Sequence, residues 1–409
     1  MEQGFGKDVP VGGVPVGKRL RVLSMVEGTW VTGPIKPLLM FARLARNGVA
    51  DQPPIDLSLM TTVRSKIGVP AENLLLSAAR ELDVGVEVLV ERRAWDLRVM
   101  TQLCRVIDAY RPDIIETHQV KCHFILAQAL LWRGTRRTFA WIAFHHGYTR
   151  ANAKLSLYEM LDRWSLRKPD KVVTVCRPFA AELIRHGVPA ERVAVISNAI
   201  EERTRPDNAE LCELRRQWSL SEQDFVIISV GRLSPEKGHI DLLDAFRRLC
   251  REARGDRGLR LMLVGDGPSR AELERAAGDL GDRVRFLGHQ SNVWPLYFLA
   301  DVFALPSHTE GSPLVLLEAM AAERAIVATA VGGVPETVND GLSARLIPPH
   351  DVEGLRRALE ALYADAPLRG RLGQAARREL QKFSPEAYRD RVWAVYKEVL
   401  RSDRPRQAH

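Results

Sequence analysis

Two carboxylates, Glu310 and Glu318, flank a helix start in the segment LPSHTEGSPLVLLEAMAA, residues 305–322. Ser312 is a good N-cap, Pro313 suits the first helical position because its missing N–H needs no partner there, and the Leu and Ala residues that follow favour helix. Glu310 therefore falls just outside the helix and Glu318 about a turn and a half inside it. Between them Gly311 permits close approach to the backbone, while the N–H groups of Leu314 and Val315 point outward with the positive end of the helix dipole. A phosphate with hydroxyls on either side suits this geometry; an ordinary helix with a solvated Glu at its mouth is the plain alternative. A second stretch, VGRLSPEKG at 230–238, follows a strand and places two cations, Arg232 and Lys237, where charge-assisted hydrogen bonds could hold a diphosphate. Gly265-Asp266-Gly267-Pro268 ends the next strand without completing a dinucleotide fingerprint, because Arg270 stands where the third glycine belongs, and this disfavours a nicotinamide enzyme.

The elements that must carry these residues alternate short β-branched runs with longer amphipathic segments. Strands are expected at 21–26, 56–60, 84–90, 113–117, 139–144, 171–175 and 193–196, then at 225–230, 260–264, 284–287, 302–305, 325–328 and 344–347. Such runs separated by helices imply parallel sheets covered on both faces, hence an α/β chain of two doubly wound, Rossmann-like domains facing across a cleft. Ligands of such folds lie outside the carboxyl ends of the strands. The polar stretch 197–208, with Pro206, is expected to link an N-terminal domain at 19–200 to a C-terminal domain at 206–384. A final helix starts at Ser384-Pro385-Glu386 and repeats Tyr388, Val392, Val395, Tyr396 and Val399 at helical spacing.

At 409 residues, 46% of them apolar and 27% charged, the chain has the composition of a globular protein too long for one typical core. Residues 1–195 hold 28 Lys and Arg against 19 Asp and Glu, and residues 196–409 hold 31 against 32, so the net +8 belongs to the first half. A basic half fits nucleic acid, anionic lipid or a phosphorylated substrate. Nucleic acid is disfavoured because no stretch interleaves aromatic and basic residues and no zinc-finger spacing occurs. The five cysteines have no C-x-x-C spacing, which points to a reducing compartment and to core positions. Residues 1–18 lack the apolar run of a signal peptide and read as a disordered tail; the tail from Ser402 reads likewise. Gly12 to Arg19 imitates a phosphate loop, but Arg19 replaces the Ser or Thr and the motif precedes a strand where it should follow one. The longest apolar run, Phe124 to Trp132, is too short to cross a membrane, so a cytoplasmic protein with at most peripheral membrane contact is expected. The basic segment 148–167, with Arg133, Arg136 and Arg137, is where such contact with anionic lipid would fall, although a solvated helix face is the simpler reading.

VGRLSPEKG, DVFALPSHTEGSPLVLLEAMA and VGGVPETVNDG, in this order and spacing, resemble the second domain of the retaining glycosyltransferases of family 4, which have the GT-B fold. The likeness is dense over about 225–350 and continues more weakly through the first half. It implies that Arg232 and Lys237 bind the donor diphosphate, that Glu318 binds the ribose hydroxyls, that Glu310 contacts the donor sugar and that the Leu314 and Val315 amides contact phosphate, with Gly311 between them. It implies a place for Gly33 in the loop where donor phosphate and acceptor meet, although Thr32 stands where many members have a second glycine. It also implies a histidine near the sugar: His146 is the choice and His145 the runner-up. His118 also stands at a carboxyl edge, after the strand 113–117, and is read from that place as a supporting residue rather than a catalytic one. The last helix is implied to pack on the first domain, which supplies the acceptor site.

The expected reaction is transfer of a sugar from a nucleotide-diphosphate sugar to a hydroxyl of a glycan or lipid-linked acceptor, with retention, in cell-surface polysaccharide synthesis. No cofactor or metal is expected, because no D-x-D pair occurs and two side-chain cations with a helix start can oppose the leaving group's charge. Alternatives are a nucleotide-sugar epimerase or phosphorylase on the same fold, or a non-catalytic nucleotide- or glycan-binding subunit.

Overall fold

The structure, a computed structural model, describes residues 19–28, 33, 35–49, 52–64, 74–92, 96, 98–133, 137–147, 153–252 and 258–401. The expected terminal tails, the residues on either side of Gly33, Arg136, and residues 148–152 of the basic segment lie outside the described residues. The chain divides into two compact units, one running to Ser197 and resuming at Pro385, the other spanning Asn198–Ser384.

The first unit carries β1 (Leu20–Glu27), β2 (Ile55–Arg64), β3 (Gly85–Glu91), β4 (Ile114–Thr117), β5 (Ala140–His145), β6 (Lys171–Thr174) and β7 (Val193–Val195). They form one parallel sheet in the order β3-β2-β1-β4-β5-β6-β7. The second carries β8 (Phe225–Val230), β9 (Leu259–Val264), β10 (Val284–Gly288), β11 (Val302–Leu305), β12 (Ala325–Thr329) and β13 (Arg345–Ile347), again all parallel, in the order β10-β9-β8-β11-β12-β13. Each sheet therefore grows outward in one direction from its first strand and in the other from its fourth. The order reverses between β1 and β4 and again between β8 and β11, where the connections leave in opposite directions and open a crevice at the strands' carboxyl ends.

The continuous apolar runs of these strands follow from burial on both faces. In β8, Val226, Ile228 and Val230 enter one core together with Met262, Phe303 and Leu316, whereas Phe225 and Ile227 enter the core on the opposite face with Leu243, Phe246 and Leu359. The first unit packs Leu23, Met25, Ile115 and Trp141 in a core with Leu103 and Leu126.

Polar residues 198–207 are not a free linker. Ile200 N–H donates to Phe383 O, the Asn198 side chain donates to Ser312 O at 2.7 Å, and the Trp294 indole donates to Thr204 O at 2.8 Å. The boundary accordingly lies at Ser197/Asn198, ahead of the position read from composition, because these bonds fasten the stretch to the second unit. Of the cysteines, Cys122 and Cys176 are buried and Cys212 is exposed, so the expectation of uniform core positions fails for Cys212; all five are free thiols.

The closing helix Pro385–Arg401 belongs to the first unit and buries Tyr388, Val392, Trp393, Val395, Tyr396 and Val399. Phe41 meets the rings of Tyr388 and Tyr396 edge-on. The Tyr396 hydroxyl donates to Glu116 Oε1 at 2.6 Å, and Ser24 Oγ donates to Oε2 of the same buried carboxylate. Burial, with Glu116 alongside, pushes the Tyr396 phenol well above its ordinary range, which keeps it a donor. Tyr396→Phe leaves a buried carboxylate one donor short. We expect a loss of about 1–3 kcal/mol in urea denaturation; an unchanged midpoint would show that water replaces the bond without cost.

Candidate functional site

In the second unit the candidate residues collect where the strand order reverses. Lys237 comes from the single 3-10 turn Pro235–Lys237 after β8, and Glu310 from the loop after β11. Lys237 Nζ lies 2.7 Å from Glu310 Oε1, and Ser307 Oγ donates to the same oxygen at 2.7 Å. Glu310 is 7% exposed, so its charge is largely removed from water and held by these two partners. Among the described residues, Glu310 Oε2 takes no hydrogen bond. Arg232 is exposed and has no ion pair among the described residues. The two cations therefore differ: Arg232 is unengaged, whereas Lys237 shares its charge with Glu310.

The helix after Glu310 runs Leu314–Ala321, with Pro313 at its N-cap. This corrects the expectation of Ser312 as N-cap and Pro313 as first helical residue. The Pro313 carbonyl accepts from Leu316 N–H, the helix has no side-chain cap, and Ser312 Oγ accepts instead from the Asn198 N–H at 2.9 Å. The Leu314 and Val315 amides have no acceptor among the described residues, as the first N–H groups of a helix require. Glu318, one turn on, accepts from the Tyr297 hydroxyl at 2.8 Å. Burial and this carboxylate push the Tyr297 phenol well above its ordinary range.

Two glycines fix the backbone here. Gly332 has φ +52°, and a Cβ on it would lie 1.6 Å from Glu310 O; Gly238 has φ +63°, and a Cβ on it would lie 2.1 Å from Pro306 O. With Gly333 N–H donating to Gly311 O, the loops after β12 and β8 pack directly on the backbone that carries Glu310 and Gly311.

In the first unit Gly33 lies in a turn between β1 and the helix Ile35–Ala45, is exposed, and has open space where a Cβ would stand. After β4 and β5 four histidines gather. His118 stacks on Phe144 and faces His146 at 5.8 Å between ring centroids. His145 is buried with Nδ1 3.6 Å from Asp162 Oδ2. His146 is partly exposed, and its Nε2 is buried with no hydrogen-bond partner among the described residues. Burial, together with His118, His145 and His123 nearby, holds His146 well below the usual histidine range, so its ring is neutral. Spacing does not reveal Ser307, Tyr297 and Asp162, which hold the candidates in place; Ser307 stands inside the LPSHTEG stretch, and the other two lie in sequence remote from what they support.

Residues 212–379 match the family described as Glycosyl transferases group 1, and residues 60–199 match the Glycosyl transferase 4-like domain. The chain belongs to the group 1 glycosyltransferases. This glycosyltransferase is 28% identical over 314 residues to N-acetyl-alpha-D-glucosaminyl L-malate synthase of Bacillus anthracis, a match covering 76% of the chain and 81% of that protein. It is 30% identical over 246 residues to alpha-D-kanosaminyltransferase of Streptomyces kanamyceticus, covering 58% of the chain and 63% of that relative's length. Its fold is that of Anabaena Alr3699/HepE, solved in complex with UDP-glucose, with a TM-score of 0.78 at 20% identity over 93% of this chain and 100% of that one.

His123, buried beneath this histidine group, has its pKa lowered to about 4, chiefly by burial and against the opposing pull of Asp162. The unfolded chain binds a proton there near pH 6.5 that the folded chain refuses down to about pH 4. Stability from this group is therefore full above about pH 6.5 and falls as pH drops toward 4, by on the order of 3 kcal/mol. His123→Gln should flatten the fall in urea midpoint between pH 7.5 and 4.5. An identical slope in wild type and variant would assign the acid sensitivity to other groups.

Proposed function

We propose that this glycosyltransferase moves a sugar from a nucleotide-diphosphate sugar to a hydroxyl of a glycan or lipid-linked acceptor, with retention at the anomeric carbon and without a metal ion, in cell-surface polysaccharide synthesis. The bond from the anomeric carbon to the diphosphate oxygen breaks, a bond to the acceptor oxygen forms, and the acceptor's proton leaves with the diphosphate. The observation that carries this reading is the Lys237–Glu310 pair beside the unbonded Leu314 and Val315 amides at the β8/β11 reversal. The amides and the two cations would take the diphosphate, with Gly311 leaving room for it. Glu310, already held by Lys237 and Ser307, would face the sugar with its remaining oxygen, and Glu318 would take the ribose hydroxyls. In the first unit, a neutral His146 with an unpartnered nitrogen suits a hydrogen bond to a sugar hydroxyl better than His145, which is turned to Asp162; Gly33 would border the phosphate and acceptor.

A transfer assay on a panel of nucleotide sugars, run in excess chelator, tests the reaction. Turnover should persist without divalent metal; loss that returns on adding Mg²⁺ or Mn²⁺ would defeat the metal-independent part. In the same assay Glu310→Gln should cut turnover about 10²-fold with little change in nucleotide affinity, in keeping with the effect of one electrostatic group acting in the transition state. Glu318→Ala should do the reverse. Equal nucleotide binding by wild type and Glu318→Ala in calorimetry would remove that carboxylate from the ribose site.

We further propose that the enzyme works in the cytoplasm at the inner face of a membrane. Among the described residues no helix is long and apolar enough to cross one. Support comes from Leu131, Trp132 and Met160, all exposed on the first unit, together with Arg163, Arg167 and Arg185 around Met160 and Trp164. Lys168 lies over the Trp164 ring at 4.3 Å. Aromatic and basic residues side by side suit the headgroup region of an anionic bilayer. Flotation with anionic vesicles should recover the protein at low salt and lose it at high salt; absence from the vesicle fraction at low salt would favour a soluble acceptor.

A further inference from the structure

The second unit holds three side chains of metal-ligand type that neither the core nor the proposed donor site employs. Asp241 lies in the first turn of the helix His239–Glu252, His308 lies between β11 and the helix Leu314–Ala321, and His350 lies between β13 and the helix Val352–Ala364. His308 Nε2 is 2.9 Å from Asp241 Oδ2, and His350 Nδ1 is 3.6 Å from the same oxygen. The three ligand atoms all lie within 4.8 Å of one another, and the two imidazole rings stand 3.8 Å apart between centroids.

Hydrogen bonding accounts for His308 but not for His350. At 3.6 Å the second ring is too far to bond the carboxylate, yet it turns inward although 67% of its side chain is exposed. Its backbone holds φ +65°, in the left-handed region that few non-glycine residues adopt, histidine more readily than most. Two imidazoles and one carboxylate whose ligand atoms lie this close together form a donor set of the kind that holds a metal ion. Bonds of about 2.0–2.2 Å at tetrahedral angles separate neighbouring ligand atoms by about 3.3–3.5 Å, and the two distances to Asp241 Oδ2 straddle that spacing. Two nitrogens and one oxygen suit zinc, copper or nickel, whereas magnesium and calcium prefer all-oxygen shells.

We infer that Asp241, His308 and His350 form a binding site for a divalent transition metal of the zinc class, with one coordination position left to water. The site is independent of the donor reading and takes no part in the transfer step. It clips together the start of one helix and two loops. Because His308 N–H donates to Glu236 O at 2.8 Å, the joined segments are those that carry Lys237 and Glu310. Bound metal therefore stabilises this unit by mass action, as any ligand of the folded state does.

The test uses untagged full-length protein stripped with chelator, titrated with Zn²⁺ by calorimetry and with Co²⁺ as a spectroscopic probe. We expect one Zn²⁺ per chain, a higher urea midpoint with Zn²⁺ than without, and visible Co²⁺ bands without the near-ultraviolet absorption of thiolate ligation. Loss of a ligand should exceed the roughly tenfold minimum effect of losing an outer-shell partner, so His350→Ala and Asp241→Asn should each weaken Zn²⁺ binding at least tenfold. His350→Ala removes an exposed side chain and should keep the metal-free midpoint of the wild type, which separates lost binding from lost folding. Zn²⁺ binding no tighter than Mg²⁺, binding unchanged in both variants, or a thiolate band would each overturn the site.

Discussion

The buried carboxylate of Glu310 sets the terms for everything around it. A charge so far removed from water persists only with partners, and it has two: a lysine 73 residues away in sequence and a serine three residues away. The lysine must arrive from the other side of the strand-order reversal, so the pair exists only because β8 and β11 are neighbours in the sheet. The glycines that let the loops after β8 and β12 touch this backbone serve the same end, since a side chain at either would push apart the segments that carry the two charges.

The first unit solves a related problem differently. Glu116 is buried beneath the sheet's carboxyl edge and receives hydroxyls from Ser24 on β1 and from Tyr396 on the closing helix. The final segment of the chain thus completes a polar network begun near its start, and the helix is tied to this unit by a specific bond as well as by its apolar face. His123 and His146 stay neutral because burial disfavours the charged ring, in His123 against the opposing pull of Asp162. A neutral imidazole such as that of His146 at the end of a parallel sheet can exchange hydrogen bonds with hydroxyls without presenting fixed charge to them.

Lys237 shows how tertiary contact changes the meaning of a residue. As sequence, VGRLSPEKG offers two equivalent cations; folded, Arg232 is exposed with no ion pair among the described residues while Lys237 neutralises a buried carboxylate. A diphosphate arriving here would meet one free guanidinium and one ammonium already committed, and binding would redistribute that commitment. Sequence spacing contains no trace of this asymmetry, because it arises from the juxtaposition of two loops.

By itself the sequence determined the architecture. The thirteen strands among the described residues are all legible as short β-branched runs, since strands buried on both faces must be apolar throughout, and alternation with helical segments leaves parallel sheets as the arrangement that covers them. The positions of Arg232, Lys237 and Glu310 after strand ends, and of Glu318 inside the helix that follows, were legible because turn glycines and prolines mark where strands stop and helices start. Tertiary structure alone decided what those residues touch. Ser312 does not cap the helix, which starts at Leu314 behind Pro313, and its hydroxyl instead accepts from Asn198, in a stretch that reads as linker. Tyr297 reaches Glu318, Tyr396 reaches Glu116, and Asp241 meets His308 and His350, each across a separation over which local pattern carries no information. Periodicity encodes which face of an element is buried, but not which buried polar atom will find which partner; that is settled only when the sheets assemble and each desolvated charge must be matched by whatever the neighbouring loops supply.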